Sequence, residues 1–136
     1  MTRTSPSLLI VEDEVIVAAD LAAKLQQLGY CVTGTTAYGE EAVLLARKHR
    51  PDLVLMDICL AGATDGVAAA TTIRRELDLP VIFLTAHSDA ATINRARQAG
   101  ASGFVRKPFD DRDLGARIAK ALQSHTAARK RRNSES

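Results

Sequence analysis

Short runs of consecutive apolar residues alternate along this chain with longer stretches whose apolar positions recur every three or four residues. Leu8-Leu9-Ile10-Val11 is the first such run, as a strand covered on both faces requires. From Glu14 to Leu28 the apolar positions are Val15, Ala18, Leu21, Ala22, Leu25 and Leu28, the spacing of one helix face, and Gly29 stands where a helix commonly ends. Cys31 to Thr35 predicts a second, weaker strand, and Glu40 to Lys48 a helix offering Ala42, Val43 and Ala46 to a core. Pro51 leads into the clearest buried strand, Leu53-Val54-Leu55-Met56. Val67 to Leu77 is an alanine-rich helix, and Pro80 precedes the strand Val81-Ile82-Phe83-Leu84. Ala90 to Ala99 predicts a helix closed by Gly100, and Gly103-Phe104-Val105 a short strand. Asp111 to Gln123 predicts the last helix, with acids in its first turn where the backbone dipole favours them.

Five strands alternating with five helices over short loops predict βαβ units, hence an α/β fold with a parallel five-stranded sheet between two helix layers. Right-handed crossovers leave few topologies, and five units of this size fit the flavodoxin-like order 2-1-3-4-5. Ligands of such sheets bind beyond the carboxyl ends of the strands, at the switch point between the first and third. The first strand ends at Glu12-Asp13, the third at Asp57, the fourth at Thr85, and the fifth runs into Lys107-Pro108.

With 136 residues, 46% hydrophobic and 25% charged, the chain has room for one ordinary globular domain. The expected division is an N-terminal extension (1–6), a domain (7–124) and a basic, disordered tail (125–136). The net charge of +2 conceals that division: Arg129, Lys130, Arg131 and Arg132 against Glu135 give residues 124–136 a net of +3, which leaves −1 on the remainder. Cys31 and Cys59 have no CxxC partner and sit in apolar company, so both are expected to be buried free thiols of a reducing compartment. No segment approaches the roughly 20 apolar residues that span a bilayer, and Met1 to Pro6 lacks the apolar core of a signal peptide. A cytoplasmic location is the expectation that remains.

Three carboxylates gathered at one sheet edge repel unless a cation or proton offsets their charge. A hard divalent ion, Mg2+ or Mn2+, takes oxygen ligands and completes its shell with water and phosphate oxygens. Asp57 can then act as a nucleophile that forms an aspartyl phosphate, with Lys107 stabilising the developing charge and the Thr85 hydroxyl donating to a phosphoryl oxygen. Singly, each of these residues reads equally well as a strand-end or first-turn residue. Together, in this order, they resemble the receiver domain of two-component response regulators across residues 7–123.

That resemblance implies a bacterial phosphorelay protein, a single-domain response regulator. Asp57 is then the phosphoacceptor, Asp13 a direct metal ligand, Glu12 a ligand directly or through water, and Cys59 a ligand through its backbone carbonyl. Lys107 pairs with the phosphoryl group, Thr85 moves towards it, Phe104 is the switch aromatic, and the Lys107–Pro108 bond is cis. The implied partners are a sensor histidine kinase or histidine phosphotransfer protein. Downstream, the face of the fourth helix, fifth strand and fifth helix meets a protein partner or a second copy. The chain then catalyses only its own phosphoryl transfer and slow autodephosphorylation, and is not a turnover enzyme. Several positions depart from the family pattern: Glu12 stands where many relatives carry Asp, and Phe104 has no hydroxyl. The loop after Asp57 lacks the proline common four residues on and carries Asp65-Gly66 one residue late.

Rival readings fail on particular residues. A flavodoxin needs a hydroxyl- and Gly-rich loop where this chain has the repelling Glu12-Asp13, and a haloacid-dehalogenase-like phosphatase needs an acid where Cys59 stands. The surviving alternative is a pseudo-receiver, a phosphorylation-independent interaction module, although it usually loses one of the residues retained here. His87, two residues after Thr85, is either an exposed loop imidazole or, with Cys59, a modulator of dephosphorylation. His49 and His125 are expected at the surface, and the scattered histidines suggest no zinc site. The basic tail is expected to make at most non-specific contacts with nucleic acid, having no aromatic residue for base stacking.

Overall fold

Side chains alternate strictly between two helix layers, and that alternation organises the molecule. The computed structural model describes residues 5–58, 60, 65–86 and 90–135, with side chains through Arg132. Its elements are β1 (Ser7–Val11), α1 (Val15–Gln27), β2 (Cys31–Thr36), α2 (Gly39–His49), β3 (Leu53–Asp57) and α3 (Gly66–Leu77), then β4 (Val81–Thr85), α4 (Ala90–Gln98), β5 (Gly103–Arg106) and α5 (Asp111–Glu135). The strands form one parallel sheet in the expected order β2-β1-β3-β4-β5.

Residues two apart on a strand share a face. Leu8 and Ile10, Leu53 and Leu55, and Ile82 and Leu84 pack on one side with Leu21 and Leu25 of α1 and Leu114 and Ile118 of α5. Leu9 and Val11, Val54 and Met56, and Val81 and Phe83 pack on the other with Ala42 of α2, Ala70 and Ile73 of α3, and Ala96 of α4. All of these residues but Ala70, which is 1% exposed, are fully buried. The central strands therefore tolerate only apolar residues until they emerge at their carboxyl ends. There the ladder pairs Val11 with Met56 and Asp57 with Leu84, so one further step along β1 sets Glu12 beside Asp57.

Several expectations are corrected. Cys31 is an exposed free thiol rather than a buried one, since it begins the edge strand β2. His125, expected at the surface, is half-buried, its side chain 12% exposed beside Asp78. The helix expected to end at Gln123 continues to Glu135, through most of the segment expected to be disordered. Ala127, Ala128 and the arginines are strong helix formers, and cations at a helix carboxyl end are favoured by the backbone dipole. Among the described residues no helix is long and apolar enough to cross a membrane.

Leu55 is fully buried on β3, so Leu55→Ala is expected to cost about 2–5 kcal/mol in urea unfolding. A loss below about 1 kcal/mol would contradict the packing described here.

Candidate functional site

Glu12, Asp13 and Asp57 converge at the carboxyl edge of the sheet, each offering an oxygen within 4.8 Å of the others. Glu12 and Asp57 are 3% and 7% exposed, whereas Asp13 faces solvent. Lys107, just beyond β5, reaches across to them. Its Nζ lies 2.5 Å from Glu12 Oε1 and 3.1 Å from Asp57 Oδ2. The second Glu12 oxygen accepts a 3.0 Å hydrogen bond from the Glu14 backbone N–H, which fixes the carboxylate against the start of α1.

Electrostatics follow from this crowding. Burial, then the charge of Glu12, push the Asp57 carboxyl up to about 6, and Lys107 only partly opposes them. Burial also works against the Glu12 charge, but the adjacent Lys107 ammonium and the hydrogen bond from the Glu14 N–H hold its carboxyl below the ordinary range. For Lys107 burial favours the neutral amine, yet the two carboxylates outweigh it and raise the ammonium's pKa. Glu12 thus keeps the negative charge while Asp57 absorbs the repulsion, so the residue at the tip of β3 has most to gain from a further cation. Glu12 Oε1 is buried, touches Lys107 by charge, and has no hydrogen bond of good geometry. An all-oxygen donor set with such an oxygen in it fits a hard divalent ion such as magnesium.

The remaining parts surround this centre. Thr85 ends β4, is 8% exposed, and its carbonyl accepts a 2.9 Å hydrogen bond from the Lys107 N–H, which ties the lysine loop to the sheet. The Lys107–Pro108 peptide bond is cis. Phe104 on β5 stacks on Phe83 with ring centroids 6.1 Å apart, and the Arg97 guanidinium of α4 sits 6.0 Å from its ring centroid. Cys59 and His87, given ligand and dephosphorylation roles on sequence grounds, lie outside the described residues.

Gly66 was missed as a part of the site. A Cβ at this position would stand 2.1 Å from the Asp57 carbonyl oxygen, so α3 can start against the β3 tip only with glycine there. Asp65 caps α3 by accepting from the Ala68 N–H at 2.8 Å and pairs with Arg95 of α4 at 3.0 Å. The Asp65-Gly66 dipeptide, displaced by one residue from the family pattern, was the available signal.

The family model for the response regulator receiver domain matches residues 8–119. The chain belongs to the receiver-domain family of response regulators. Among curated proteins, the receiver domain here is 43% identical over 106 residues to the transcriptional regulatory protein PdtaR of Mycobacterium tuberculosis, covering 78% of this chain and 51% of that protein. It is 39% identical to the transcriptional regulatory protein AfsQ1 of Streptomyces coelicolor, covering 87% and 52%. The chain thus spans about half the length of the curated relatives it matches. Among solved structures, the signal receiver domain of a modulated diguanylate cyclase from Desulfovibrio desulfuricans superposes with a TM-score of 0.87 at 40% identity, covering 91% of this chain and 98% of that one. The receiver domain of a sensor histidine kinase from Pseudomonas aeruginosa, described with a magnesium ion in its active-site cleft, gives 0.80 at 32% identity over 88% and 99%.

The raised Asp57 carboxyl has a signed consequence for the metal-free receiver domain. A carboxyl whose folded pKa lies above its unfolded value contributes stability that is present at low pH and lost as pH rises through about 6. Asp57→Asn is therefore expected to stabilise the protein in chelator by about 2 kcal/mol at neutral to alkaline pH, with no difference near pH ~4. Urea unfolding at both pH values checks this, and magnesium should narrow the gap. An Asn variant no more stable than the parent at alkaline pH would contradict the repulsion.

Proposed function

We propose that this receiver domain accepts a phosphoryl group onto Asp57 from phosphohistidine on a sensor kinase or phosphotransfer protein. The observation that carries the proposal is the convergence of three carboxylates from the ends of β1 and β3 with one crossing ammonium, Lys107. An Asp57 carboxylate oxygen attacks phosphorus, the phosphorus–nitrogen bond breaks, and the imidazole leaves with its bonding pair. Glu12, Asp13 and Asp57 are the residues that would hold magnesium or manganese, whose charge would offset that of the phosphoryl oxygens. Lys107 supplies the protein's own cation and holds it beside Asp57 before the donor arrives. The protein acts once upon itself, so this is a switch that catalyses its own modification and slow reversal rather than a turnover enzyme. Its place of action is the cytoplasm, where a kinase's phosphohistidine is available.

Donor docking is supported by the surface around the site. Val15 and Ile16, in the first turn of α1, are 81% and 85% exposed, and apolar side chains so displayed beside a polar centre suit a partner helix. A groove of about 550 Å³ runs from Glu12 and Asp13 past Val15 to Tyr38 and Glu41.

The signal leaves through the face of α4, β5 and α5, towards a downstream protein or a second copy. A phosphoryl group on Asp57 would draw Thr85 towards it and bias the packing of Phe104 between Phe83 and Arg97. Because α4 also reaches Asp65 through Arg95, a change at the β3 tip acts on that helix from two sides.

Acetyl phosphate tests the transfer. Intact mass is expected to rise by one phosphoryl group only with magnesium, with no rise for Asp57→Asn, and Lys107→Ala is expected to slow the reaction by about a hundredfold. No modification of the parent protein would favour the pseudo-receiver reading. Modification that survives Asp57→Asn would displace Asp57 as acceptor.

A further inference from the structure

The last helix overruns the sheet. At 1.5 Å per residue the 25 residues of α5 extend about 37 Å, whereas a five-residue strand spans roughly 17 Å. The excess stands beyond the amino ends of the strands, on the side of the molecule away from Asp57. It is tied there by Arg132, whose Nη2 lies 2.6 Å from Asp78 Oδ2, just after α3. One turn back, Arg129 Nη2 lies 3.2 Å from His125 Nε2, an uncharged partner that leaves the Arg129 charge in place.

Between this overhang and the amino edge of the sheet is a cleft of about 670 Å³, in the size range of ligand sites. Its floor is apolar, made by Pro51, Leu77, Leu79 and Leu122. Its rim is cationic, with Arg50 after α2 and Arg129 and Lys130 from α5, all exposed. Among the described residues no ion pair neutralises these three, whereas Arg132 is engaged by Asp78. The lining carboxylate, Asp52, accepts from the Ser7 N–H at 2.8 Å and from its hydroxyl at 3.4 Å.

We infer that this cleft docks an acidic, amphipathic segment of a partner protein, whose carboxylates meet Arg50, Arg129 and Lys130 while its aliphatic side chains cover Leu77, Leu79 and Leu122. Charge complementarity selects the sign of the partner, and the leucine floor selects its class. A nucleic-acid backbone would satisfy the rim but leave the floor wet, and no Phe, Tyr or Trp lines the cleft to stack a base. The site is independent of Asp57, so it would give the receiver domain a second contact surface that stays available whatever the phosphorylation state.

The test is fluorescence anisotropy of the full chain with a fluorescein-labelled peptide of repeated Glu-Leu-Leu-Glu units. Saturable binding is expected. The double substitution Arg129→Glu and Lys130→Glu should weaken it at least about tenfold, as should Leu122→Gln with helix content unchanged by circular dichroism. Asp57→Asn should bind as the parent does, which separates this site from the phosphoacceptor reading. The inference is overturned if binding is absent, or if the charge-reversed protein binds as well as the parent. It also fails if Leu122→Gln leaves affinity intact, which would leave charge alone at work. Tighter binding of an oligouridine RNA would assign the cleft to nucleic acid. A dimer in sedimentation that the charge reversal dissolves would assign it to a second copy.

Discussion

Two buried carboxylates sharing a single ammonium are the constraint on which the rest of this receiver domain turns. Parallel strands β1 and β3 lie side by side only because the chain crosses over between them, and their carboxyl ends therefore arrive together. Glu12 and Asp57 are thereby held close in a place where water cannot screen them. Lys107 offsets one charge well and the second incompletely, and the residual repulsion collects on Asp57. A carboxylate that is anionic, crowded and short of positive charge is suited to bind a divalent cation.

Much of the surrounding structure serves to keep that tension in place. The strand interiors are uniformly apolar, so polar side chains collect only where the strands emerge. Gly66 lets α3 begin against the Asp57 carbonyl, and the Thr85 carbonyl anchors the backbone of Lys107. Phe104 carries the arrangement outward, since it stacks on a core residue of β4 on one side and meets Arg97 of α4 on the other. The Phe83, Phe104 and Arg97 side chains thus join β4, β5 and α4 in one contiguous set of contacts.

How much of this could be read beforehand depended on the kind of interaction. Strand order and the acid–lysine cluster were legible because apolar tetrads such as Leu53 to Met56 are unambiguous and each ends at a polar residue. The helix boundaries agree to within a residue or two until α5, where the run Arg129 to Arg132 reads as charge and favours a solvated tail, although those residues with Ala127 and Ala128 also favour helix. The partner that ties the helix end down, Asp78, lies 54 residues earlier, beyond the reach of local pattern. The same limit hid the exposure of Cys31, which depends on β2 lying at the sheet edge, and the role of Gly66, which depends on a backbone oxygen nine residues away.

Beryllofluoride, a stable stand-in for the phosphoryl group, tests the central claim most directly when observed by fluorine and amide NMR together. With magnesium, the parent protein should show bound fluorine resonances, and the amides of Thr85 and Phe104 should shift with them. Both changes should vanish with chelator and in Asp57→Asn. Bound fluorine that persists without magnesium or without Asp57, or no bound signal in the parent protein, would contradict a metal-assisted phosphoacceptor at the end of β3.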